Sequence, residues 1–141
     1  MRISALFVVL VGIAAPHAWA GEKVTDTPRG RAEAFLARLG KGDVAAAYDE
    51  LFAGSPLVAE KPQAVDAVKR QTEAGLPLYG KSIGFELHNE KTFGDSIVRL
   101  TYIQRFEKHP LVWRFWFYRP AGNWYLDNVV FNDQYGFLQG E

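Results

Sequence analysis

Three polar side chains stand in step with apolar neighbours and are therefore the first candidates for chemistry. Tyr102, Gln104 and Asn128 share the alternating phase of Leu100, Phe106, Trp113 and Phe115, and successive side chains of a strand point to opposite faces of a sheet. Polar groups carried to a buried face need partners. A mostly apolar pocket with a few oriented polar groups, lined by Tyr102, Gln104, Trp113, Phe115 and Asn128, would suit a small apolar ligand. The plainer alternative is that Gln104 and Asn128 satisfy backbone groups at the sheet ends, or that a bulge turns them outward.

Other chemistry-bearing residues are less well placed. Asp127, flanked by Trp116 and Tyr125, could act as a base if desolvation raised its pKa, but alternation puts it on the outer face, where an ion pair with Arg114 is the simpler role. His88 stands between Glu86 and Glu90. Strand side chains two and four residues apart are separated by ~7 and ~13 Å, too far to converge on one ion, so no metal site is expected. His109 precedes Pro110 in a tight connection and reads as a solvated turn residue. Ser82 and Ser96 have no histidine placed to activate them. Nucleophile elbow, phosphate loop, dinucleotide fingerprint and zinc spacing are all missing, and no cofactor is implied. Trp116, Tyr118 and Tyr125 fall together on the outer face, and an exposed aromatic patch marks a partner. A homodimer packed sheet to sheet, a C-terminal tail folded back through Tyr135, Phe137 and Leu138, or carbohydrate stacked on the rings would each cover it.

The elements that must carry these residues are read from periodicity. The run Leu111-Val112-Trp113-Arg114-Phe115-Trp116-Phe117-Tyr118 has aromatic residues in both phases, which predicts a central strand covered on each side. Upstream, Thr27-Pro28 opens a helix with Ala32, Phe35, Leu36 and Leu39 on one face. Asp43 caps a second helix that buries Val44, Ala47, Tyr48, Leu51 and Phe52. A third, weaker helix from Pro62 to about Ala74 has a polar second half that suits a surface lid. From Gly80 onward the period changes to two. Ile83, Phe85 and Leu87 form one face of a first strand, with Glu86, His88 and Glu90 opposite. Val98, Leu100, Tyr102 and Phe106 follow on a second strand, and the last strand runs from Trp124 to Phe131. Matching apolar faces sets Phe106 opposite Leu111, Tyr102 opposite Phe115 and Leu100 opposite Phe117. Across the next turn, Phe117 faces Leu126, Phe115 faces Asn128 and Trp113 faces Val130.

Residues 1 to 20 carry the pattern of a secretory signal peptide. Met1-Arg2 is followed by an apolar stretch from Ile3 to Ala15 and by Ala18-Trp19-Ala20 as a small-x-small cleavage site before Gly21. The stretch is too short for a transmembrane span. A bacterial periplasmic or secreted protein is expected, with residues 21–141 as a single domain. The chain has no cysteine and therefore no disulfide or lipidation site. Losing Arg2 leaves 15 basic and 16 acidic residues, a net charge of about −1. No basic block or basic amphipathic segment is present, so neither nucleic-acid nor membrane binding is expected once the leader is removed.

The order of three helices and then four long strands resembles the nuclear-transport-factor-two-like (cystatin-like) superfamily, from about Arg29 to Phe131. The resemblance is carried by Phe35-Leu36-Ala37-Arg38-Leu39-Gly40-Lys41-Gly42-Asp43-Val44, where a Gly-x-Gly-Asp turn starts the second helix. It is carried also by Trp113-Arg114-Phe115-Trp116-Phe117-Tyr118 with Trp124-Tyr125-Leu126-Asp127-Asn128-Val129. It implies an α+β fold in which three N-terminal helices pack on a strongly bent antiparallel sheet of about four strands, a conical pocket, and a dimer through the outer sheet face. Enzymes of that superfamily place a carboxylate base and a Tyr or Asp donor in the cone, and no residue here matches those positions. The expected function is a small-ligand- or partner-binding module without catalysis. The alternative is a cofactor-free isomerase, dehydratase or hydrolase acting on a small apolar substrate in the same pocket.

Overall fold

In the computed structural model, residues 26–139 are described; the signal peptide and its cleavage site lie outside them. Helix α1 (Pro28–Gly40) begins as its sequence requires: the Thr27 hydroxyl accepts from the Gly30 amide at 3.0 Å, and Pro28 takes a position that needs no amide donor. Its buried stripe is Ala32, Phe35, Leu36 and Leu39. Helix α2 (Val44–Leu51) follows, with Val44, Ala47, Tyr48, Leu51 and Phe52 turned inward. Asp43 occupies the cap position, yet its side chain makes no capping hydrogen bond. An additional short helix, α3 (Leu57–Glu60), precedes α4 (Pro62–Gly75), so the α-helices among the described residues number four rather than three. Ser55 explains the extra turn. Its hydroxyl accepts from the Leu57 amide and donates to the Leu126 carbonyl at 2.7 Å, tying the chain to the sheet just before α3. Helix α4 buries only Val65 and Thr72, in keeping with its polar second half.

Strands β1 (Ser82–Phe93), β2 (Ile97–Phe106), β3 (Leu111–Tyr118) and β4 (Tyr125–Asn132) form one antiparallel sheet in chain order, completing an α+β fold. The helix-facing side and the helices share one core: Phe35, Leu36, Tyr48 and Leu51 meet Leu100, Tyr102, Trp113, Phe115, Phe117 and Leu126. Among the described residues, no α-helix lies on the other side of the sheet. A single turn of 3-10 helix, Tyr135–Leu138, lies against β3 there, with the Arg114 guanidinium 4.5 Å from the Phe137 ring centroid.

The register departs from the expected one in three places. Between β2 and β3, Tyr102 pairs with Trp113, Leu100 with Phe115 and Val98 with Phe117, a shift of two that preserves the faces. The cause is the connection: the Glu107 amide donates to Lys81 O and the Lys108 amide to Tyr79 O. These bonds pull the end of β2 toward β1, where Phe106 pairs with Ser82 rather than Leu111.

Bulges account for the departures at β3–β4, where there is one, and at β1–β2, where there are two. At β3–β4, Phe117 does pair with Leu126, but Asp127 is an extra residue, so Trp116 pairs with Asn128 and Phe115 with Val129. Asn128 and Val130 therefore change sides, and Val130 is 38% exposed. In β1, His88 is extra, which moves Glu90 from the expected outer face to the helix side opposite Leu100. Ile83 is likewise displaced at the start of β1 and is 63% exposed, beside Gly84 with φ +130°.

Candidate functional site

Four of the five residues expected to line a pocket meet at the centre of the sheet. Tyr102, Gln104, Trp113 and Phe115 each have 0% exposure, so no water-sized void touches them. The Trp113 indole donates to Gln104 Oε1 at 3.0 Å, and Gln104 Nε2 donates to Leu36 O at 3.3 Å. Gln104 thus bridges β3 to the α1 backbone and satisfies both of its own polar atoms, as burial demands. Phe35 packs edge-on against both Trp113 (5.2 Å) and Phe115 (5.6 Å), and Tyr102 packs edge-on against Phe115 (6.1 Å). Asn128 is not among them. The Asp127 bulge leaves it exposed on the edge strand, paired with Trp116.

Tyr102 has a partner that alternation did not suggest. Its hydroxyl donates to Glu33 Oε1 of α1 at 3.0 Å, and Arg29, one turn earlier, pairs with Glu90 of β1. Burial, and then the carboxylate accepting its proton, pushes the Tyr102 phenol above the usual tyrosine range. A signal existed in the sequence, since Arg29 and Glu33 are four residues apart on one helix face. Finding Glu90 required the His88 bulge, which no local pattern announces.

The remaining candidates are spread over the surface. Asp127 is exposed at its bulge. Arg114 is engaged by the tail, donating to Phe137 O at 2.8 Å. His88 is exposed at its own bulge, and among the described residues no group of three His, Cys, Asp or Glu gathers around a point. His109 is stacked on Tyr135 at 5.7 Å, with Nδ1 2.7 Å from Pro110 O, so it anchors the tail rather than lying free in solvent.

The outer aromatic residues do come together. Tyr118 and Tyr125 pair across β3 and β4 with their rings edge-on at 5.6 Å. Trp116 stacks on Phe93 at 5.6 Å, and the Arg99 guanidinium lies 5.6 Å from Trp116 and 5.9 Å from Phe93. Phe93 retains 36% exposure. The tail reaches Arg114 and His109 at the other end of the sheet, leaving the Trp116–Tyr118 end open. Beside it a shallow depression is lined by Ile97, Trp116, Phe117, Tyr118 and Asp127. No protein family's sequence profile matches the chain, and neither a curated protein nor a solved structure does.

Proposed function

We propose that this chain is a non-catalytic binding module of the nuclear-transport-factor-two-like kind, exported to the periplasm or medium by residues 1–20 and cleaved between Ala20 and Gly21. In this reading the helices and sheet form the conical body, and two copies join through the outer face at Trp116, Tyr118 and Tyr125. The observation that carries the proposal is the contrast in packing. The centre of the helix side, around Tyr102, Gln104, Trp113 and Phe115, is filled by its own side chains, whereas the outer face presents a cluster of half-buried rings at one end. Rings held in place by neighbours lose little freedom on association and suit an interface core.

Native mass spectrometry of the processed protein tests this. A dimer that Trp116→Glu converts to monomer is the expected result; a wild-type monomer at micromolar concentration overturns it. N-terminal sequencing should return Gly21 as the first residue.

A second reading, the acid/base enzyme, is favoured by the hydrogen bond from buried Tyr102 to Glu33. Glu33 keeps part of its surface in solvent beside exposed Arg29 and Glu90, so substrate would meet its carboxylate first. Glu33→Gln should then abolish turnover of a small apolar substrate while the fold persists, and turnover unchanged in that variant rules this reading out.

A further inference from the structure

Helix α4 is held unevenly along its length. Its second half is pinned to α2: Tyr48 Oη lies 2.7 Å from Thr72 Oγ1, and Lys69 Nζ donates to Asp49 Oδ1 at 2.6 Å. The first half buries only Val65, with Val68 partly packed. Among the described residues, the side-chain hydrogen bonds that join α4 to other elements all fall in that second half.

Two cavities flank the less tethered half. One, of about 300 Å³, lies between α2 and α4 and includes Tyr48, Val58 and Pro62 in its walls. The other, of about 250 Å³, lies between α4 and β4 and is walled by Leu57, Ala64, Val68 and Val129. Phe52 and Val65 belong to both and separate them. Both are grooves open to solvent on one side rather than sealed voids, and each has room for more than the benzene-sized guest that an apolar cavity of about 150 Å³ takes.

The lip of the second cavity carries Lys61, Asp127 and Asn128. One cation, one anion and one amide leave it without net charge but rich in donors and acceptors. A head group that both donates and accepts, and carries no charge of its own, complements such a rim. A charged head would meet one opposing and one like charge there.

We propose that the cavity between α4 and β4 binds a short- to medium-chain aliphatic amphiphile with an uncharged, hydrogen-bonding head such as an alcohol or amide. The chain would lie against Val68, Val129 and the Phe52–Val65 wall, with the head at Lys61, Asp127 and Asn128. The polar lip borders the outer aromatic face, since Asp127 also lines the depression beside Trp116, whereas the apolar wall lies on the helix side. The titration is therefore repeated on Trp116→Glu, so that loss of a dimer and loss of the guest are read separately.

The test is titration of n-alkanols, butan-1-ol to octan-1-ol, into isotope-labelled full-length processed protein, followed by backbone amide shifts. Ala64, Val65, Val68 and Val129 should move together, with affinity rising about fourfold per methylene until the cavity is full. Octanoate and octylammonium should bind more weakly than octan-1-ol. Ala64→Trp places an indole in the cavity from an exposed helical position and should abolish the response while the rest of the spectrum persists; Val68→Phe serves the same purpose if Ala64→Trp does not fold. The proposal falls if affinity does not depend on chain length or if the shifts lie elsewhere. It also falls if a folded blocking variant still responds, or if either ion binds as tightly as the alcohol.

Discussion

The two faces of the sheet are built from similar residues and do opposite things. On the helix side, Trp113, Phe115, Phe117 and Tyr102 are sealed, and Trp113 and Tyr102 each place their one polar hydrogen on a partner. On the outer side, Trp116 and Tyr118 alternate with the β3 rings along the same strand, and Tyr125 pairs with Tyr118 from β4, but all three keep part of their surface in water. There the Trp116 ring is braced by Phe93 and Arg99 instead of by a helix. Aromatic content therefore does not distinguish core from surface here. What distinguishes them is whether an amphipathic helix lies across the ring and whether the ring's polar atom has a protein acceptor.

The sharpest way to break this contrast is to truncate one ring on each face. Trp113→Ala removes a fully buried indole and leaves Gln104 Oε1 without its donor. It should lower stability by about 3–5 kcal/mol in urea unfolding. Trp116→Ala should cost only about 1 kcal/mol, chiefly its contact with the Arg99 guanidinium and part of its apolar burial. Equal losses would mean that the outer face is as much core as the inner one.

Alkaline pH offers a second test, of intermediate size. Burial raises the pKa of Tyr48 and Tyr102 above the ordinary value of 10.0. The folded state thus holds those protons more tightly than the unfolded chain. Their stabilising contribution is whole below about pH 10 and is lost as pH rises past it, at a limit of about 1.4 kcal/mol per pH unit for each tyrosine. By ultraviolet absorbance, the buried pair should titrate only as the protein unfolds.

Tyr48→Phe sharpens the same comparison. It should halve the alkaline slope and cost about 1 kcal/mol at neutral pH. The cost stays modest because the Thr72 hydroxyl keeps its bond to Val68 O at 2.8 Å. An unchanged slope would show that Tyr48 ionises in place.

Much of the fold was legible in the chain. Thr27-Pro28 marked the start of α1, the spacing of Ala32, Phe35, Leu36 and Leu39 marked its buried face, and alternation placed Leu100, Tyr102, Trp113, Phe115 and Phe117 on one side of the sheet. Each rests on local periodicity, which needs only the geometry of one element. The candidate site was less legible. Tyr102, Gln104, Trp113 and Phe115 do converge, but alternation could say only that they face the helices, not that Phe35 and the Leu36 carbonyl would close over them.

The sequence alone thus determined element type, order and face wherever a repeat ran unbroken. The tertiary structure decided parity. One inserted residue turns every following side chain over, and its position depends on bonds between distant segments: Glu90 facing Arg29 after the His88 bulge, and Leu126 O held by Ser55 next to the Asp127 bulge. For that reason Asn128 was expected on the helix side and lies on the outer one, while Glu90, still exposed, moved to the helix side. Glu33, Tyr102's acceptor, could be recognised only once α1 lay on the sheet.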